Sequence, residues 1–196
     1  MLHTSFNNPG SNNPGPNNNN DQSGFIELFV KKILLHLDET DQSKLNDFYL
    51  LFDHTSPNTK IIFNSQPFDN NHVIEFIKMW NTSIVTTQHV LTSLDYHIIP
   101  GLGFIICNVN GKVRFDESGN DRLGNNSVIT TAQQPINNSL TSTTTVKKRP
   151  LWGPYFGVSL QIMLQERILN NDLNNVISGF NYSIVYQPKD SLLVEH

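Results

Sequence analysis

Residues 152–165 alternate between two kinds of side chain so regularly that they constrain the fold more than any other part of the chain. Every second position is apolar or proline, and the positions between are mostly small or polar. The first set comprises Trp152, Pro154, Phe156, Val158, Leu160, Ile162 and Leu164. A period of two places the two sets on opposite faces of an extended strand. The chain therefore contains a sheet, and one strand of that sheet has a strongly apolar face.

Four more segments have the composition of strands. Residues 84–99 are rich in Val, Ile and Thr and stop at a Pro-Gly pair, and residues 104–115 follow as the hairpin partner. Residues 176–186 predict a last long strand, and residues 60–63 predict a short one.

Three helices are predicted before the long strands. Apolar residues recur with helical period over residues 25–37, Asp41 can cap a second helix, and Asn70 or Asn71 can cap a third. Helices followed by consecutive strands predict an α+β fold with the helices on one face of an antiparallel sheet.

Two polar stretches divide the chain. Residues 1–22 are dominated by Asn, Pro and Gly, which predicts a disordered tail, and residues 116–149 are rich in Asn, Thr, Ser and Gln. Neither ordered block is long enough to fold comfortably alone. We therefore expect a single domain over residues 23–194, interrupted by a long flexible insertion at about 116–149.

Charge and cysteine content exclude several classes of protein. The net charge of −4 and the pI of about 5.9 argue against a protein that coats a duplex through bulk positive charge. The single cysteine, Cys107, excludes an internal disulfide framework and a four-cysteine zinc site. With no apolar run of 18 residues and no signal-peptide pattern, a soluble intracellular protein is expected.

The distribution of apolar residues over the two faces of the predicted sheet gives the first functional indication. Three helices can cover one side of a sheet of four to six strands, yet the predicted strands carry aromatic or aliphatic residues on both sides. A second face that is fully solvated should be polar. The surplus apolar surface predicts either a ligand in a cavity or contact with another protein.

Four long strings resemble the fungal mRNA transport regulators, members of the nuclear transport factor two-like family. They are TQHVLTSLDYHIIPG (87–101), ICNVNGKVRFDESG (106–119), RPLWGPYFGVSLQ (149–161) and VISGFNYSIVYQPKDSLL (176–193). The resemblance implies a cone of three helices wrapped by a strongly bent sheet. It also implies a non-catalytic subunit that pairs with the related domain of a large mRNA export receptor subunit.

The resemblance also implies where such a protein acts and what it meets there. The heterodimer would carry mRNA, and also large ribosomal subunits, through the nuclear pore by binding nucleoporins with Phe-Gly repeats. The chain would lie in the nucleus and at the pore and shuttle to the cytoplasm. It would need no cofactor, no metal and no catalytic residue.

Candidate contacts with the large subunit lie on three strands. Asp95 is predicted to pair with an arginine of the partner, as related heterodimers imply. Other candidates are aromatic anchors and small polar residues, as found at interface centres, although period alone does not settle which face points outward. They are Tyr155, Gly157, Ser159, Gln161, Phe180, Tyr182, Ile184 and Tyr186.

The chain has one dense basic cluster, formed by Lys147, Lys148 and Arg149. Residues 112–149 hold six basic and three acidic residues, whereas the rest of the chain holds seven and fourteen. A flexible basic arm suits phosphate contact, so RNA or ribonucleoprotein cargo is one candidate ligand, and a solvated linker is the other interpretation.

Two further functions remain open at this stage. One is a homodimeric transport factor that binds a small GTPase. The other is a small isomerase or dehydratase on the same fold, because His89, Asp95 and His97 would share one face if their strand ran straight. A cavity lined by polar groups would favour the enzyme, and a core filled by aromatic rings would favour the binding protein.

Overall fold

A computed structural model describes residues 18–68, 72–124 and 150–194. The described residues form three helices, six strands and two short 3₁₀ helices. The helices are α1 (Asn18–Asp38), α2 (Leu45–Tyr49) and α3 (His72–Ser83). The strands are β1 (Lys60–Phe63), β2 (Gln66–Pro67), β3 (Thr87–Ile99), β4 (Phe104–Phe115), β5 (Phe156–Gln165) and β6 (Ile177–Tyr186). The 3₁₀ helices are Gln42–Lys44 and Glu166–Asn170.

The strands form one sheet in the order β2-β1-β6-β5-β4-β3. The predicted α+β class is confirmed, but the sheet is mixed because β1 pairs with β6 in parallel. Parallel neighbours need a long connection, and the chain between these two strands supplies it through α3 and three further long strands. The short β2 follows a two-residue turn in which Asn64 and Ser65 both have positive φ, the conformation that closes tight hairpins.

One face of the sheet packs against the helices and forms the core. From α1, Ile26, Val30 and Ile33 are fully buried, and from β5, Ile162 and Leu164 are fully buried as well. The apolar stripe of α1 therefore packs against the apolar face of β5, as the helical period and the period of two predict. We call this side the helix face and the opposite side the outer face.

A β-bulge in β3 changes which residues face the helices. The register shifts between Leu91 and Ser93, so His89 points to the helix face while Asp95 and His97 are exposed on the outer face. These three residues would share one face only in a straight strand, and the bulge inserts one residue and reverses the alternation beyond it.

The boundaries of the polar stretches also differ from expectation. Helix α1 begins at Asn18, so the predicted tail overlaps it by five residues, since an apolar stripe marks only the part of a helix that is packed. At the start of the predicted flexible insertion, Asp116, Asn120 and Arg122 are buried. Residues 1–17 and 125–149 lie outside the described residues.

Strand β5 begins at Phe156 rather than at Trp152. Pro154 has no N–H to donate to a ladder, and Trp152 instead forms an isolated bridge with Asp116. The short helix Glu166–Asn170 lies in a part of the chain where the sequence predicts strands only.

Candidate functional site

The outer face presents a surface built from five neighbouring strands. Its positions follow from the strand pairings and from the alternation of burial along each strand. From β3 and β4 come Ser93, Asp95, His97, Ile99, Phe104, Ile106, Asn108, Asn110, Lys112 and Arg114. From β5, β6 and β1 come Gly157, Ser159, Gln161, Met163, Gln165, Gly179, Asn181, Ser183, Tyr186, Lys60 and Ile62.

The centre of the outer face is polar and made of short or amide side chains. Gln161 Nε2 donates to Asn108 Oδ1 at 3.3 Å across β5 and β4, and Asn110 Nδ2 donates to Ser93 Oγ at 3.1 Å across β4 and β3. Asn108, Gln161 and Asn181 stand side by side on three strands. The amides of this band are uncharged, and they offer hydrogen-bond donors and acceptors to a facing surface.

Beside the polar band lies an apolar depression of about 190 Å³. Ile62, Ile106 and Met163 supply its walls, and Gly179 leaves the space open because it has no side chain. Lys60 stands at its edge, exposed to solvent.

The opposite end of the outer face carries aromatic rings around a cation. The Arg114 guanidinium carbon lies 5.0 Å from the ring centroid of Trp152 and 5.3 Å from that of Tyr155. Arg114 Nε also donates to Gln88 Oε1 at 2.7 Å. Tyr186 lies at the same end and is 61% exposed. Cation–π contacts of this kind attract the guanidinium to the faces of the aromatic rings.

The structure separates the predicted contact residues into two groups. The outer face carries five of them: Asp95, Gly157, Ser159, Gln161 and Tyr186. Tyr155 lies beside this face, because its ring contacts the Arg114 guanidinium. Their role in binding a partner stays a prediction. No hydrogen bond or ion pair to Asp95 forms within the described residues, so its carboxylate is available to a partner.

Phe180, Tyr182 and Ile184 point to the helix face, and their predicted role as direct contacts is corrected. Phe180 is 2% exposed, Tyr182 is fully buried and Ile184 is half-buried against the core. A register shift between β5 and β6 near Gly157 sends Tyr186 to the outer face although Phe180, Tyr182 and Ile184 face inward. Period alone could not reveal this change of side.

A buried polar network joins α1, β3 and β6, and sequence reasoning missed it. His89 Nδ1 lies 2.5 Å from Asp38 Oδ1, and His89 Nε2 lies 2.9 Å from the Tyr182 hydroxyl oxygen. The His89 backbone N–H and the Thr87 hydroxyl also donate to the Asp38 carboxylate, at 2.8 and 2.9 Å. Burial and the nearby Asp38 raise the pKa of Tyr182, which keeps this hydroxyl protonated.

Arg122 completes the network from the start of the polar stretch. Its guanidinium donates to the backbone carbonyls of Leu37, Glu39 and Val85, and it lies 5.9 Å from the Trp80 ring centroid. Burial lowers the pKa of Arg122 to about 10, so the group stays charged at neutral pH. The Asp38 carboxylate favours that charge. One sequence signal could have indicated the network: an acidic residue at the C-terminal end of α1 opposes the helix dipole and needs partners.

The network is enclosed by aromatic rings. Trp80 and Tyr182 have ring centroids 5.4 Å apart, Phe63 lies 5.6 Å from Tyr182, and Phe76 packs 5.4 Å from Phe180. The His89 side chain is 1% exposed, and Tyr182 is fully buried. The network is therefore closed to solvent at His89 and Tyr182, and its hydrogen bonds anchor the end of α1 to the sheet.

Two further properties concern the described residues as a whole. No group of three His, Cys, Asp or Glu side chains among them could hold a metal ion. None of their helices is both long and apolar enough to cross a membrane.

Comparison with known proteins gives one family. Residues 18–195 match the family described as "Nuclear pore RNA shuttling protein Mtr2". The mRNA transport regulator MTR2 of Saccharomyces cerevisiae is 50% identical over 173 residues, 88% of this chain and 92% of that protein. The protein of the same name from Candida albicans is 33% identical over 187 residues, covering 89% and 98%.

Solved structures agree with this result. The C. albicans Mtr2–Mex67 M domain complex contains a chain 27% identical to this one, with a TM-score of 0.68 and coverage of 87% and 99%. An NTF2-like superfamily protein of Salmonella enterica, 10% identical, has a TM-score of 0.52 over 91% and 99% of the two chains. That likeness shows the fold alone, and it confirms the nuclear transport factor two-like fold. The chain belongs to the Mtr2 family of nuclear pore RNA shuttling proteins.

Proposed function

We propose that this chain is the small, non-catalytic subunit of an mRNA export receptor and that its outer face binds the M domain of the large subunit. The main support is the C. albicans relative, whose structure was solved as a complex with the Mex67 M domain and which shares this fold along 99% of its length. Within the complex, the small subunit would cover and stabilise the M domain.

The size of the outer face suits such a partner. Four strands about 4.8 Å apart give a width of about 19 Å, and ten paired residues extend about 33 Å. With the four residues of β1 added, the area is about 700 Å², close to the roughly 800 Å² that one partner buries in an interface of standard size. Ten residue pairs join β4 and β5, so these strands span that length.

The composition of the outer face suits a partner that also exists as a folded domain. The sequence predicts surplus apolar surface, and apolar side chains lie at two ends of the outer face, around Met163 and around Trp152, with a polar band between. Interfaces between separately folded proteins are about as apolar as other surfaces and concentrate aromatic and methionine side chains at anchors. Asp95, exposed beside the polar band, is proposed to pair with an arginine of the M domain.

The buried network supports a binding protein over an enzyme. Asp38, His89 and Tyr182 do converge as a catalytic group would, but aromatic rings fill the space around them. Catalysis needs a pocket that admits substrate to the proton-transfer groups. We therefore propose that these three residues stabilise the fold and take no part in a reaction.

The finer parts of the function rest on the family resemblance. We propose that the heterodimer carries mRNA and large ribosomal subunits through the pore, binds Phe-Gly nucleoporins and shuttles between nucleus and cytoplasm. Contact with RNA or a pre-ribosome through Lys147, Lys148 and Arg149 belongs to the same proposal, and these residues lie outside the described part of the chain.

Two experiments test the proposed function. Light scattering of the purified chain with the M domain should give the summed mass of one copy of each, whereas an unchanged mass contradicts the pairing. In cells whose only protein of the Mtr2 family is this chain, depleting it should cause polyadenylated RNA to accumulate in the nucleus, as seen by in situ hybridisation. Unchanged RNA distribution would contradict a role in mRNA export.

A further inference from the structure

The apolar depression on the outer face has the dimensions of a site for one side chain. Its volume of about 190 Å³ is smaller than the roughly 300–1,000 Å³ of pockets that bind small molecules. It opens on a surface of paired strands, where a facing sheet would present side chains one at a time. A macromolecular anchor therefore fits it better than a free ligand does.

Gly179 and Met163 create the depression together. A Cβ at position 179 would lie 3.1 Å from Met163 Cβ and 3.5 Å from Met163 Cε, so any larger residue there would occupy the space under the methionine. Met163 is half-buried, and its unbranched thioether can adjust to the shape of an incoming group. The cross-strand neighbour Ile106 fixes the second wall.

The rim gives the depression the character of an interface anchor. Gln161 and Asn181 border it with amides, and Lys60 borders it with an exposed ammonium group. An apolar centre surrounded by polar groups that exclude water is the arrangement in which truncating one side chain costs the most binding energy.

We infer that this depression, formed by Ile62, Ile106, Met163 and Gly179, receives one large aliphatic or aromatic side chain from the M domain of the large subunit. The inference rests on the proposed function and adds to it the position of the main apolar anchor. It commits to the M domain because the depression is continuous with an outer face whose area matches one side of a standard interface.

Methionine labelling tests the inference without changing the protein. The chain has three methionines, Met1, Met79 and Met163, so methyl-¹³C-methionine labelling gives at most three methyl signals. Adding the unlabelled M domain should shift the Met163 methyl resonance. Met79, which packs against the core from α3, should keep its resonance and serves as the internal control.

Alanine variants test the energetic contribution of the same walls. Met163→Ala and Ile106→Ala should each weaken M-domain binding about 30-fold or more, as expected for truncation at an interface anchor. Lys78→Ala, on the exposed surface of α3 and away from the outer face, should weaken it less than about threefold. Thermal unfolding of each variant checks that the fold is intact, and the methyl shift in the wild-type chain does not depend on that check.

The outcomes separate this inference from the proposed function. If the complex forms while the Met163 resonance stays in place and both variants bind like Lys78→Ala, the inference is wrong and the proposed function stands. If the wild-type chain does not bind the M domain, the proposed function and the inference are both wrong. A Met163 shift that depends on chain concentration without the M domain would assign the depression to a second copy and overturn the inference.

Discussion

At the residue scale, Arg122 contributes more to the fold than its place in a polar stretch indicates. It donates to three backbone carbonyls that belong to the end of α1 and the approach to β3. Replacing it with methionine keeps much of the length but removes every donor and leaves buried acceptors unsatisfied. We expect Arg122→Met to lower the free energy of unfolding by about 2 to 4 kcal/mol in urea denaturation.

Lys31→Met provides the matched control for Arg122→Met. Lys31 forms a surface ion pair with Glu27 at 2.6 Å, and such exposed i, i+4 pairs contribute about 0.3 to 0.5 kcal/mol. If Arg122→Met unfolds at the same urea concentration as Lys31→Met, then Arg122 does not hold α1 to the sheet.

The buried thiol of Cys107 makes the free energy of unfolding depend on pH in the alkaline range. The residue is fully buried, and this burial raises its pKa from 9.0 to about 12. Between these two values the unfolded chain has lost the proton and the folded chain has kept it. The stabilising contribution is therefore complete below pH 9 and falls as pH rises, by about 1.4 kcal/mol per pH unit for one proton.

Comparing wild type with Cys107→Ala isolates that contribution. The variant is less stable at pH 7 because it leaves a cavity, but between pH 9 and 10 its unfolding free energy should fall less steeply than that of wild type. Urea denaturation at several pH values measures both slopes. Equal slopes would mean that the thiol ionises as readily in the folded chain as in the unfolded one.

Asp95 carries the prediction that the partner supplies an arginine. An exposed carboxylate on the outer face becomes buried when a partner covers it, so losing its charge-assisted pair should be costly. Asp95→Ala is expected to weaken binding of the M domain by about 2 to 5 kcal/mol, measured by calorimetry. A loss of binding free energy below about 1 kcal/mol would identify a contact that remains exposed to solvent at the edge of the interface.

At the element scale, the bulge in β3 decides what each face carries. Gly111 on β4 lies opposite Leu91, where the register of β3 shifts. A Cβ on Gly111 would lie 3.0 Å from the Val90 carbonyl oxygen and 3.3 Å from Val158 Cγ2. These contacts are tighter than ordinary van der Waals distances, so the Val90 carbonyl would have to move by a few tenths of an ångström to admit a side chain.

The bulge therefore predicts opposite effects for two Gly→Ala substitutions. Gly111→Ala should destabilise the chain by about 1 to 3 kcal/mol, because the new methyl meets rigid backbone. Gly24→Ala, on α1 with no atom within 4 Å of the added Cβ, should stabilise it by about 0.5 to 1 kcal/mol. Thermal unfolding measures both, and an unchanged Gly111→Ala variant would contradict the close approach.

Some features of these strands could be predicted from the sequence, and others could not. The bounds of β1 and β4 were predicted correctly, because each has a run of strand-forming residues that ends at a turn. The faces of β3 and β6 were not, because a one-residue register shift leaves no mark on composition. Arg122 lies 85 residues from Leu37, and a single sequence does not show such distant pairings.

At the scale of the whole molecule, the two faces of the one sheet differ in what they carry. The helix face holds the core and the Asp38–His89–Tyr182 network, which fixes the end of α1. The outer face has about 700 Å² of paired strands, which we propose bind the partner, with apolar side chains at its ends and a polar band at its centre. A rigid core behind this surface holds the strands in place before binding, which lowers the entropic cost of association.

Gln161 allows the central claim to be tested directly, because it is exposed at the middle of β5 in the centre of the outer face. The measurement is the mass, by light scattering, of the 22.2 kDa chain mixed with the M domain, for wild type, Gln161→Arg and Lys78→Glu on the exposed surface of α3. We predict a one-to-one complex for wild type and Lys78→Glu. Gln161→Arg should give separate components, because an unpaired charge would be buried. A Gln161→Arg variant that still forms the complex would contradict the claim that the outer face is the surface that binds the partner.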